Sequence, residues 1–277
     1  DKNNYQIIVK PIEFEITCSS GSKTVEVSKF NAYVERMIAI PEGVDPSKIT
    51  TGVILNSDGT FSHVPTVITM IDGKYYAKIN SLTNSAYLLI YSPKTFRDVE
   101  NHWAEKDVND MASRLIISGV GNDLFEPERN ITRAEFSAVM LRALGLRAEE
   151  YKNDFFDVKA GEWYREYIST SSYYGLVRGY DDGTFKPDGN ITRQEAMAIL
   201  ARAMGATKLG EELEIDVSDI LAAFDDNADV SDWAKDSVSK CVKTGVVTGR
   251  DNGRIAPLDN ITRAETTIMV RRLLLHS

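Results

Sequence analysis

Three threonine–arginine pairs carry the residue types that could do chemistry in this chain. They are Thr132-Arg133, Thr192-Arg193 and Thr262-Arg263, each inside an Ile-Thr-Arg-x-Glu segment. An arginine presents a planar fork of N–H donors that fits a carboxylate or a phosphate. Each threonine is placed to N-cap a helix, with Glu135, Glu195 or Glu265 at N3 to close a capping box. Capping accounts for threonine and glutamate without any function. It does not account for arginine at the first helical position, where the dipole is positive and acids are preferred. Two readings compete. Each arginine pairs with an acidic residue of a neighbouring unit, or arginine and the free first-turn N–H groups together hold an anion.

The segments belong to a longer pattern. Trp103, Trp163 and Trp233 precede Gly119, Gly179 and Gly249 by 16 residues, and each glycine precedes its arginine by 14. The copies are offset by 60 and then 70 residues, which marks an array of one supersecondary unit. Each unit opens on an aspartate near the tryptophan, within Phe96-Arg-Asp-Val99, Phe155-Phe-Asp-Val158 and Phe224-Asp-Asp-Asn227. A helix follows, with Trp103, Val108, Met111 and Leu115 at helical spacing. A glycine-containing loop and a Phe/Ile-x-Pro segment then lead to the capped second helix. The tryptophans have two readings: core anchors at a helix start, or exposed faces that stack on sugar rings. The loops lack the phosphate-loop consensus. Asp181-Asp-Gly and Asp251-Asn-Gly read as turns rather than calcium loops.

Ahead of the repeats, residues 5–92 alternate or are β-branched in short runs, such as Tyr5-Gln-Ile-Ile-Val-Lys10, Thr66-Val-Ile-Thr-Met-Ile71 and Tyr87-Leu-Leu-Ile-Tyr91. Asp72-Gly73 predicts a two-residue hairpin turn. The whole reads as a small β-sandwich. No catalytic set is present. His63, in Ser62-His-Val-Pro65, reads as a surface or hairpin residue. Glu13, Glu15, Glu26 and Glu35 read as solvent-facing strand residues rather than a glycosidase pair.

A hydrophobic share of 43% with 26% charged residues places the chain among globular proteins. The net charge of -9 argues against unspecific nucleic-acid binding. No apolar run approaches the length of a membrane span, so no membrane insertion is expected. No cofactor motif is found. Asp1-Lys-Asn-Asn does not read as a secretory leader, which fits a mature or excised piece. Cys18 and Cys241 read as unpaired thiols, Cys241 on the core face of a helix.

The threefold Phe-x-Asp…Trp, Gly-x5-Phe/Ile-x-Pro and Ile-Thr-Arg-Ala/Gln-Glu pattern resembles the S-layer homology module of bacterial surface proteins. The resemblance covers about residues 96 to 277. It implies a mainly α region of three pseudo-threefold repeats around a central three-helix bundle. With the all-β N-terminal part, the expected division is 1–94, then repeats at 95–152, 153–212 and 213–277. It further implies non-covalent anchoring of a secreted Gram-positive surface protein to the wall, without enzymatic activity. The partner would be secondary cell wall polysaccharide, bound through a pyruvylated terminal sugar in grooves between repeats. The ligand-binding residues carried over are Asp98, Trp103, Gly119, Arg133, Asp157, Trp163, Gly179, Arg193, Asp226, Trp233, Gly249 and Arg263. Two other readings are a tail of a polysaccharide hydrolase and a lattice former with lateral protein contacts. Gln194, where the other copies have Ala, is expected to be harmless on a first turn. The third copy departs most from the pattern, so its groove and Arg263 are expected to contribute least.

Overall fold

The computed structural model describes residues 5–275 apart from 28, 57, 153–154, 208, 210–215 and 251–252. The N-terminal region is all β. One sheet has the order β1-β9-β5-β6, formed by Gln6–Glu13, Ala86–Tyr91, Thr51–Leu55 and Phe61–Val64. A second has the order β4-β8-β7, formed by Lys29–Ala39, Lys74–Thr83 and Thr66–Ile71. β2 (Thr17–Ser20) and β3 (Lys23–Glu26) make a separate exposed hairpin. Alternation points Val9, Val64 and Leu89 of the first sheet at Ile38, Ala77 and Ile79 of the second, giving one shared core. Asp72 and Gly73, at φ 48° and 76°, form the tight turn between β7 and β8.

β6 was not legible as a strand, and it changes the reading of His63. The residue lies opposite Val53, is 2% exposed, and its Nδ1 is 2.9 Å from the Thr51 hydroxyl. It is a core residue, not a surface one. Burial, and then the Arg114 charge, push its pKa down to about 3.

The C-terminal region is helical. Its units are α1 (Glu105–Ser113) with α2 (Arg133–Ala143), α3 (Arg165–Tyr173) with α4 (Arg193–Thr207), and α6 (Lys235–Lys243) with α7 (Arg263–Leu275). α5 (Val217–Leu221) lies in the extension before the third unit and is capped by Asp216. The isoleucines before the caps close a ring. Ile131 N–H donates to Ile261 O at 3.1 Å, Ile191 N–H to Ile131 O at 3.2 Å, and Ile261 N–H to Ile191 O at 3.2 Å. α2, α4 and α7 start from this ring and are buried on most of their surface, polar residues such as Arg133, Ser137, Arg193 and Thr267 included. Phe136, Leu200, Val270 and Cys241 share the resulting core.

The two regions are docked. Leu115 stands at φ 65°, where the other units have Gly175 and Gly245 at 69° and 73°. Its side chain packs on the outer apolar patch Val53, Leu88 and Ile90 of the first sheet. Arg114 Nη1 donates to Thr66 O at 3.2 Å, and the Tyr33 hydroxyl donates to Leu144 O at 3.3 Å.

Candidate functional site

All three capping boxes form. Thr132, Thr192 and Thr262 Oγ1 accept the N–H of Glu135, Glu195 and Glu265 at 3.2, 3.4 and 3.1 Å. The glutamates accept the threonine N–H groups in return at 3.0, 2.9 and 3.0 Å. The next N–H groups are not free. Arg133 and Ala134 N–H donate to Gly189 and Pro187 O at 2.9 and 3.0 Å. Arg193 and Gln194 donate likewise to Asp259 and Pro257, and Arg263 and Ala264 to Arg129 and Pro127. An anion held by free first-turn N–H groups is therefore excluded, because the following unit's carbonyls already fill them.

The arginines reach across unit boundaries, as the pairing alternative requires. Arg133 Nη1 meets Glu195 at 3.1 Å, Arg193 meets Glu265 at 3.0 Å, and Arg263 lies 3.8 Å from Glu135. Each Nε donates to a carbonyl of the next loop: Phe185, Ile255 and Phe125 at 2.8, 2.9 and 2.8 Å. The three are 5%, 2% and 8% exposed. Burial lowers the pKa of Arg193 and Arg263 against the opposing pull of Glu265 and Glu135. Burial raises Glu195, but hydrogen bonds from Tyr180 and Thr192 and the Arg133 charge outweigh it, leaving a lowered pKa. Glu135 follows the same pattern, with Arg129, Thr132 and Arg263 outweighing burial.

The aspartates and glycines shape the loop. Asp98 accepts the N–H groups of Phe125 and Glu126 at 2.8 and 2.7 Å. Asp157 does the same for Phe185 and Lys186, and Asp226 for Ile255 and Ala256. Asp226 thus takes the equivalent place despite the longer run to Trp233. Glu126, Lys186 and Ala256 are left-handed at φ 59°, 58° and 52°, and the carboxylate grips the N–H of each. A Cβ on Gly119, Gly179 or Gly249 would strike the ring of Phe96, Phe155 or Phe224.

The tryptophans are not core anchors. Trp103, Trp163 and Trp233 are 61%, 54% and 58% exposed. Trp103, Gly249 and Arg193, one from each unit, line a groove of about 910 Å³. Trp163, Gly119 and Arg263 line a second of about 190 Å³. The pseudo-symmetric third set is Trp233, Gly179 and Arg133. There the Tyr180 ring covers Arg133 at 4.6 Å and its hydroxyl donates to Glu195 at 2.6 Å. Gln194 is buried and exchanges two hydrogen bonds with Ser231, both 3.1 Å. Val247, Thr248 and Gly249 of the third unit line the larger of these two grooves.

Sequence reasoning passed over Arg142, Arg250, Arg271 and Arg272, all of which line grooves. Arg142, Arg202 and Arg272 each follow the motif arginine by nine residues, a signal visible in the chain. No helix among the described residues is long and apolar enough to cross a membrane.

Residues 95–137, 154–197 and 223–267 each match the S-layer homology domain family. The chain is 31% identical over 271 residues, 98% of its length, to amylopullulanase of Thermoanaerobacterium thermosulfurigenes. It is 34% identical over 180 residues, 65% of its length, to exoglucanase XynX of Acetivibrio thermocellus. It is 25% identical over 205 residues, 71% of its length, to the S-layer protein of Bacillus thuringiensis subsp. finitimus. It spans 14%, 16% and 24% of those proteins. Residues 95–267 thus comprise three S-layer homology domains of an extracellular, cell-surface protein, preceded by an all-β region.

Proposed function

We propose that this chain is a non-enzymatic anchoring module that holds a surface protein on the bacterial wall. It does so by binding secondary cell wall polysaccharide in the grooves between repeats. The observation that carries this reading is the exposure of all three tryptophans, two of which, Trp103 and Trp163, line clefts together with the buried arginines Arg193 and Arg263. A core anchor would be buried, whereas a half-exposed indole face beside a cationic floor suits an acidic sugar. Trp103 and Trp163 stack the sugar. Arg193 and Arg263 lie beneath it, and arginines outnumber the acids that line each groove, which leaves the floor net positive. The acid is the pyruvyl ketal of the terminal residue. Asp98, Asp157 and Asp226 and the three glycines hold the loops in shape. Two grooves on one rigid body raise residence on a repetitive polymer without added contacts. The names amylopullulanase and exoglucanase among the relatives suit a module attached to bodies of different activity. The test is co-sedimentation with purified wall carrying its polysaccharide, against wall stripped of it. Binding to the first only supports the reading; equal binding to both overturns it.

A further inference from the structure

The wide groove contains four arginines, and they are not equivalent. Arg193 is 2% exposed, with Nε, Nη1 and Nη2 bonded to Ile255 O, Glu265 and Thr248 O. Every guanidinium nitrogen of Arg193 is thus committed to an inter-unit contact, and the two N–H donors that remain belong to a side chain almost sealed from solvent. Arg250 is paired with both Glu265 and Asp259. Arg271 is paired with Asp107 and Asp110 at 3.2 and 3.1 Å. Arg272 is partly exposed and bonds only the Thr248 hydroxyl, at 3.1 Å. No carboxylate lies within ion-pairing distance of it among the described residues. The same division holds in the other units. Each motif arginine has a glutamate, while the arginine nine residues on has a neutral partner. Arg142 donates to the Tyr167 hydroxyl at 3.0 Å beside Trp163, and Arg202 donates to Leu176 O at 3.1 Å.

We propose that Arg272, not the motif Arg193, makes the direct contact to the ligand's carboxylate in the wide groove. Arg193 is then a scaffold that joins units. This rests on the reading of the grooves as acidic-glycan sites. A cation already neutralised by a buried acid gains little from a second one, whereas an uncompensated guanidinium at a cleft wall can form the bidentate pair. Arg142 holds the same place in the narrower groove.

The test is a cycle between protein and ligand. A pyruvylated methyl hexoside and the methyl ester of its ketal carboxylate are titrated into the wild-type chain, R272A and R272K. Thermal unfolding is followed in parallel. The inference expects wild type to prefer the acid by tenfold or more. R272A should bind acid and ester alike, R272K should recover part of the preference, and both should unfold as wild type. An R272A variant that keeps the full preference overturns the inference while leaving the grooves as glycan sites. A wild-type chain that binds neither sugar overturns both.

Discussion

Arg193 of the second repeat meets Glu265 of the third at 3.0 Å, and the same glutamate closes its own helix cap through Thr262. One carboxylate therefore serves the local helix start and the contact between units. Arg133 with Glu195 repeats the arrangement. The cap is where the array becomes a closed body.

Removing the acid should cost more than removing a cap. Truncating an N-cap costs roughly 0.5–2 kcal/mol. Glu195→Ala also strands Arg133, which is 5% exposed, and breaking a buried pair costs roughly 3–5 kcal/mol. Urea unfolding of Glu195→Ala should show a loss of about 3 kcal/mol or more. A loss under about 1 kcal/mol would mean that the pair does not couple the units.

The opening aspartate is predicted to be structural. Asp226→Ala leaves the Ile255 and Ala256 N–H groups without their acceptor and frees a left-handed alanine. The expected loss is about 2–4 kcal/mol in unfolding. Wall binding per folded molecule should hold. Normal stability with lost binding would return Asp226 to the ligand.

His63 gives a sign-defined pH dependence. Its folded pKa is about 3 against an ordinary 6.5, so unfolding takes up a proton between these values. Its stability contribution is complete above about pH 6.5 and is lost as pH falls toward 3. From pH 7 to 5 this amounts to about 2 kcal/mol. Glu135 and Glu195, lowered in the fold, add a further loss below about pH 4.3. His63→Gln should flatten the slope between pH 7 and 5. Parallel slopes for variant and wild type would contradict the assignment.

Leu115 trades backbone strain for docking. Its left-handed conformation costs roughly 1 kcal/mol relative to glycine. Its packing against Val53, Leu88 and Ile90 opposes that. Leu115→Gly should therefore change global stability by less than about 1 kcal/mol while loosening the junction. Hydrogen exchange should show faster exchange in β5 and β9 facing the patch. Unchanged protection there would mean that Leu115 does not hold the regions together.

The repeat, the capping boxes and most strands were legible because each rests on local chemistry: a period, a cap, an alternation. β6 was hidden because Ser62-His63-Val64-Pro65 has no apolar alternation beyond Phe61 and Val64. His63 is made a core residue by its tertiary partner Thr51. The arginine question could not be decided from the chain. Whether N–H groups are free depends on where carbonyls of another unit fall, and Gly189 and Pro187 lie more than fifty residues from Arg133. The exposure of the tryptophans was open for the same reason. The fit of Phe96, Phe155 and Phe224 over the glycines is likewise a contact that spacing does not reveal.

The central claim is that exposed tryptophans at the grooves hold wall polysaccharide. The most direct measurement is calorimetric titration of the purified polysaccharide into wild type and into Trp103→Ala, Trp163→Ala and Trp233→Ala. All three side chains are more than half exposed, so folding should survive each change. The account predicts a loss of roughly tenfold or more for Trp103→Ala, a smaller one for Trp163→Ala, and least for Trp233→Ala beside the filled third set. Wild-type affinity in all three variants would contradict it.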